Sequence, residues 1–311
     1  MIRFILMLCC FTFSLFSDLE DYFKPISGKS ALHQMKNIDF IYMINLDQRP
    51  EKFATSAERL APYGVYPFRF SAVNGWELSL EDINDLGVKY EPWMTSGHLG
   101  TFYPQEGDAA PEHEVVHVIG KNYFCHCMSR GAIGIALSHL SILQDAYDSG
   151  YETIWVMEDD IRVVQDPQVI PDLIDELDRL VGKNGWDILF TDQDTVNNAG
   201  AYVPCTAFAW RPNFTPPNPH KFHLRQQVGS HFRRIGARYG AYSMLVRRSG
   251  MKKLLDFFKN YQIFLPYDMD FTLPPTIQMF TVTTDIVSTQ PNASSDNGAP
   301  NYMQGASSHG L

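Results

Sequence analysis

Thr153-Ile154-Trp155-Val156-Met157-Glu158-Asp159-Asp160 is an apolar run closed by three carboxylates. The β-branched and aromatic residues at 153–156 read as a buried strand, and the carboxyl end of such a strand is where open α/β sheets receive ligands. Side chains alternate along a strand, so Glu158 and Asp160 are expected on one face and Asp159 on the other. Two like charges about 4 Å apart repel by about 1 kcal/mol in water and about 4 kcal/mol at an effective dielectric of 20, so a compensating cation is expected. A divalent metal bridging a phosphorylated ligand meets that need. A solvated turn with a capping Asp is the plainer alternative.

Working outward, Ile133, Leu137, Leu140 and Leu143 recur at helical spacing over 132–147, Gly150 stops that helix, and the chain then enters the acidic strand. Upstream, residues 39–45 read as a buried strand, 51–60 as a helix with Pro50 at its start, and 66–70 as a strand closed by Asn74-Gly75. Downstream come a helix over 169–180 and a strand over 186–190 that again ends in acids, Asp192 and Asp194. A strand over 239–246 and a helix capped by Ser249 and running to 258 follow. This alternation predicts an α/β fold with a mostly parallel central sheet in a single domain over 37–297. Residues 90–124 lack periodicity and read as a long irregular insertion, and 298–311 as a polar C-terminal tail.

The chain has 311 residues, 45% hydrophobic and 19% charged, enough for one large α/β domain. A net charge of -10 argues against a nucleic-acid partner, since that affinity comes from Lys and Arg on phosphates. Cations nevertheless gather between Lys221 and Lys253 with no acid among them, which reads either as a solvated basic face or as a site for phosphate or an acidic acceptor. Residues 1–17 carry Arg3 and an apolar run too short to span a bilayer, so they read as a signal peptide or an N-terminal anchor, and no later segment reads as a span. That leader places the protein outside the cytoplasm or in the secretory pathway, with a cytoplasmic or membrane-associated location as the alternative. Without it Cys125, Cys127 and Cys205 remain, too few for a disulfide framework.

His113-Glu114-Val115-Val116-His117 fits the zincin pattern, two histidines one helical turn apart with a glutamate base, and keeps a zinc metalloprotease as a remote alternative. Pro111 and the valines favour a strand instead. A structural zinc on His113 or His117 with Cys125, His126 and Cys127 lacks the usual CxxC spacing. Ser138 and His139 are adjacent on a helix and point about 100° apart, so they form no catalytic dyad; His139 reads as a phosphate or carboxylate partner or as a packing residue. Asp268 and Asp270 are the best late carboxylates for taking a proton from a hydroxyl, and spacing does not rank them.

In this order the pieces resemble glycosyltransferase family 25, which includes bacterial lipooligosaccharide galactosyltransferases and collagen hydroxylysine galactosyltransferases. The resemblance rests on Ile44-Asn45-Leu46-Asp47-Gln48-Arg49-Pro50-Glu51 and on Ser71-Ala72-Val73-Asn74-Gly75. It rests further on Gly131-Ala132-Ile133-Gly134 leading to Ser138-His139, with Ile135 where the family commonly has Cys, and on Val156-Met157-Glu158-Asp159-Asp160. It implies a GT-A-like, Rossmann-type fold, a nucleotide-sugar donor such as UDP-galactose, a glycan or protein acceptor, and a divalent metal, manganese in the first instance. Carried onto this chain, Asp160 would bind the metal, with Glu158 supporting it or reaching the ribose, and Asn45 and Arg49 would face the nucleotide, with His139 beside the acidic strand. An inverting single displacement needs one base, for which Asp268 is the first candidate and Asp194 the alternative. A carbohydrate-binding or interaction protein that kept the fold and lost turnover is the competing reading.

Overall fold

The computed structural model describes residues 18–104, 110–193, 210–291, 293 and 295–298. The expected leader, Asp194 and all but the first residue of the expected tail lie outside the described residues. The first half carries β1 (Phe40–Asn45), α1 (Pro50–Leu60), β2 (Phe68–Ser71), α2 (Leu80–Leu86), β3 (Val88–Lys89), β4 (Leu99–Phe102), β5 (Glu112–Val115), β6 (Asn122–Cys125) and α3 (Arg130–Asp148). The second carries β7 (Thr153–Glu158), β8 (Ile161–Val163), α4 (Ile170–Val181), β9 (Ile188–Phe190), β10 (Arg225–Val228), β11 (Phe232–Ile235) and β12 (Ser243–Arg247). It ends with α5 (Arg248–Tyr261), α6 (Tyr267–Asp270), β13 (Met279–Val282) and β14 (Val287–Thr289).

The main sheet runs β10-β11-β13-β9-β12-β7-β1-β2. Pairing is parallel at β2–β1, β1–β7 and β9–β13 and antiparallel elsewhere, so six of the eight strands point one way and only β11 and β12 oppose them. Reversal of β12 brings its amino end to the edge where β1 and β7 finish. There the Glu158 N–H donates to the Tyr242 carbonyl at 2.9 Å.

Strand alternation divides the core. Phe40, Tyr42, Ile44, Ile154 and Val156 face α3 and α5, packing against Leu137, Leu140, Leu254 and Phe258. Ile41, Met43, Trp155 and Met157 face the other way, onto Leu60 of α1 and Ile174 and Leu177 of α4. Two buried faces explain why β1 and β7 read as continuous apolar runs. The result is a Rossmann-like three-layer domain: the alternation predicted its α/β class, and the family resemblance implied its Rossmann type. Ser129 caps α3 through its hydroxyl, which accepts from the Ala132 N–H at 3.0 Å, and Gly150 beyond its end takes φ +76°.

Two local expectations change. The 90–124 insertion is not irregular throughout: β3, β6, β4 and β5 form a separate four-stranded antiparallel sheet beside the main one. Its β5 is mostly exposed, so its sequence lacks the apolar alternation that marks a strand. Ser249 does not cap α5, which starts a residue earlier; its hydroxyl bonds Asp187 at 2.6 Å.

Candidate functional site

The glycine motif on α3 serves backbone contact. A Cβ added at Gly134 would lie 2.5 Å from the Val73 carbonyl oxygen and 2.6 Å from the Gly75 nitrogen, so the 72–75 loop after β2 rests directly on the helix. One turn on, Ser138 accepts from the Val73 N–H at 2.9 Å and donates to the Gly134 carbonyl at 2.7 Å, which fastens the loop to that helical turn. Ser138 is therefore a clamp. The loop it holds forms one wall of a cleft whose opposite wall is the end of β7.

Three carboxylates meet at that cleft. Asp159 accepts from the Asn45 side-chain amide at 2.6 Å. Glu158 and Asp160 line the same cleft, and both also face an adjoining second cleft. Burial is the first cause of a raised pKa in all three: Glu158 is pushed up to about 7, helped by Asp159 and Asp268, and Asp159 and Asp160 to about 6. The Asp160 Oδ1 is buried with no hydrogen-bond partner among the described residues. Such an oxygen is costly unless something outside the chain meets it. No group of three His, Cys, Asp or Glu side chains among the described residues could hold a metal ion by itself. Glu158 and Asp160 thus fit a divalent cation whose remaining ligands come from a bound substrate or water, the usual arrangement for metals held on phosphates.

The first cleft, with about 720 Å³ of open space, lies between β1, the 72–75 loop and α3 and includes Asn45, Lys52, Asn74, Trp76 and His139. The second, about 1110 Å³, lies between α3, the 240–242 segment and α6 and includes Tyr242, Tyr267 and Asp268. Glu158 and Asp160 line both. His139 is fully buried, stacks on Tyr267 with ring centroids 4.2 Å apart, and stands 3.7 Å from Glu158. Burial holds its imidazole down at about 3, so it is neutral at physiological pH.

Other expected residues are placed differently. The Asn45 amide donates to the Arg49 carbonyl and Asp159 while its oxygen accepts from Arg69, so it orients Asp159 and shapes the cleft floor. Arg49 turns to Glu51 at 2.6 Å and to both oxygens of Asp296 at 2.9 Å. Lys52, which sequence reasoning passed over one turn into α1, lines the first cleft and also reaches Asp296 at 3.4 Å. Asp296 and Asn297 bring the end of the described chain across the cleft, and the Ser129 hydroxyl donates to the Asn297 side-chain oxygen at 2.7 Å. The helical spacing of Lys52 from Arg49 was a weak local signal; Asp296 had none.

Asp268 and Asp270 separate cleanly. Asp270 is sealed in the core against Arg211 at 2.5 Å and accepts from the Leu265 N–H at 3.1 Å, whereas Asp268 faces the second cleft and accepts from the Gly240 N–H at 2.8 Å. Burial raises the Asp268 carboxyl above its ordinary range. The basic stretch is not an open anion site: Arg238 is paired with Asp192 at 3.0 Å, Arg247 with Asp178 at 2.6 Å and Lys253 with Asp187 at 2.7 Å. Nor is the zincin pattern helical. His113 and Glu114 lie on β5, where His113 meets the Thr101 hydroxyl at 2.9 Å and Glu114 pairs with Lys121 at 2.7 Å; His117 turns onto the Val115 carbonyl. The protease alternative is withdrawn on that geometry.

The family pattern described as "Glycosyltransferase family 25 (LPS biosynthesis protein)" matches residues 38–271. A protein of Aedes aegypti named "Glycosyltransferase 25 family member" is 30% identical over 173 residues, covering 56% of this chain and 24% of the relative. A protein of the same name from Drosophila melanogaster is 29% identical over 144 residues, covering 46% and 19%. "Inactive glycosyltransferase 25 family member 3" of Mus musculus is 24% identical over 159 residues, covering 51% and 22%. The chain spans under a quarter of the length of these curated relatives. With the family pattern running over most of its length and over the whole acidic strand end, the chain belongs to glycosyltransferase family 25.

Proposed function

We propose that the chain is a metal-dependent glycosyltransferase that moves a sugar, in the simplest case galactose from UDP-galactose, onto a hydroxyl of a glycan or protein by a single inverting displacement. The observation that carries this reading is the wall shared by two clefts, where the buried Asp160 Oδ1 lacks a partner among the described residues. Asp160 and Glu158 would hold the cation, manganese in the first instance. When bound, it supplies charge neutralisation for the departing diphosphate.

The chain's own residues divide the remaining work. The 72–75 loop, fixed by Ser138, and Lys52 line the donor cleft, where the lysine complements phosphate charge. Asn45 holds the Asp159 carboxylate through its side-chain amide. Neutral His139 and Tyr267 form a dry stacked wall behind Glu158. Asp268, held by the Gly240 N–H in the second cleft, accepts the acceptor hydroxyl's proton; burial makes its carboxylate a stronger base than an exposed Asp. Asp194, the alternative base, lies outside the described residues. An extracytoplasmic or secretory setting belongs to this reading, resting on the apolar run at residues 4–16 alone.

Thermal unfolding with UDP-galactose, with and without manganese, tests this directly, because a ligand of the native state raises Tm. A rise that needs both components, together with transfer to a hydroxyl acceptor, is expected. The non-catalytic reading is favoured only by the name of the mouse relative. Glycan binding without any nucleotide-sugar response would establish it instead.

A further inference from the structure

The turn from β6 into α3 carries a thiol pair that sugar transfer does not use. Cys125 ends β6 and is 5% exposed, while Cys127 is exposed. A tight turn, closed by the Met128 N–H on the Cys125 carbonyl at 3.0 Å, brings the two sulfurs to 2.9 Å. That is about 0.9 Å longer than a covalent S–S bond, so closure needs only a small rotation of the side chains. Backbone anchoring is firm: the Cys125 N–H donates to the Phe264 carbonyl at 2.9 Å.

We propose that Cys125 and Cys127 are a redox-active dithiol, converted to an intrachain disulfide by exchange with a small-molecule or protein disulfide, with Cys127 attacking and Cys125 resolving. Exposure makes Cys127 the sulfur a partner can reach. The Cys125 S–H hydrogen bond, assisted by His126, holds the Cys127 thiol down at about 6, whereas that same contact and burial push Cys125 up. In the first step the Cys127 thiolate attacks a disulfide R–S–S–R, forming Cys127–S–S–R and releasing one thiolate. Cys125 then gives its proton to that thiolate, attacks the Cys127 sulfur and expels the second RS⁻. Two protein thiols are oxidised and one disulfide is reduced to two thiols. So short a loop removes little entropy from the unfolded chain, which places the bond among labile disulfides rather than structural ones.

Neither a zinc site nor packing explains the pair. No third ligand joins the two sulfurs among the described residues, and a packing role would not require an exposed Cys127. The test treats the full reduced chain with glutathione disulfide, quenches it in acid and maps tryptic peptides by mass. Cleavage after Lys121 and Arg130 yields one peptide containing both cysteines and neither Cys205 nor the leader cysteines. That peptide is expected to lose two hydrogens and to regain them with dithiothreitol. Cys125→Ser should instead trap a glutathione adduct on Cys127, and Cys127→Ser should leave Cys125 unmodified until the chain is denatured. Two retained thiols in the wild-type chain, or a lasting adduct on Cys127 beside a reduced Cys125, would overturn the proposal. Thermal melts of both variants confirm that the reagent meets folded protein.

Discussion

Two strands of one sheet end in acids, and the acids have opposite fates. At the end of β9, Asp192 is 3% exposed, clasped by the two terminal nitrogens of the buried Arg238 guanidinium at 3.0 and 3.2 Å, and bonded by Ser288 at 3.1 Å. At the end of β7, Glu158 and Asp160 are desolvated beside two clefts, and among the described residues no arginine is set against them in a comparable clasp. The same contrast separates Asp270, sealed by Arg211, from Asp268, two residues earlier and open to a cleft. Burial alone therefore does not set the β7 acids apart; burial without an arginine clasp among the described residues does.

Substitutions can break this comparison. Asp160→Asn is expected to reduce transfer by about 1000-fold or more, since neutralisation of leaving-group charge is worth several kcal/mol. Its Tm without metal should stay level or rise, because an uncompensated charge has been removed; marked destabilisation would make Asp160 another structural acid. Asp268→Asn should cost about 10²–10⁴ in kcat with nucleotide binding retained, as calorimetry with UDP and manganese would read. Arg238→Met should show the reverse pattern, losing about 3–5 kcal/mol in denaturant unfolding because Asp192 stays buried and charged. Adding Asp192→Leu should recover most of that loss.

The smallest effect is a pH slope. Glu158 is raised from 4.5 to about 7 and Asp160 from 3.8 to about 6, so the folded apo chain holds protons that the unfolded chain releases. Their contribution to stability is full below about pH 4 and is lost as pH rises through about 6 and about 7. A cation competes with the same protons, so manganese affinity should climb between about pH 5 and about pH 8. Asp160→Asn should flatten both curves, measured by pH-dependent melts and metal titration.

Sequence made one side of this comparison legible and hid the other. The end of β7 could be read because strand, acids and the glycine-bearing helix α3 are contiguous, and their periodicities are local. The sealing of Asp192 could not, since Arg238 lies 46 positions away and nothing local pairs them. The same gap left the 221–253 cations looking like an anion site. The β13 strand went unread for a local reason: its run is four residues long, against six in β1 and β7, too short for a buried strand to stand out by composition. Asp268 and Asp270 share one local context, and only their distant partners Gly240 and Arg211 distinguish them.

The contact between Arg49 and Asp296 joins positions 247 apart. Loop closure over that distance comes late, because entropy must be given up before the contact repays it. During synthesis the sheet, α3 and the acidic strand end are all made before residue 296 emerges. The first cleft therefore acquires its final wall last, and a nascent chain can fold its core well ahead of completing that cleft.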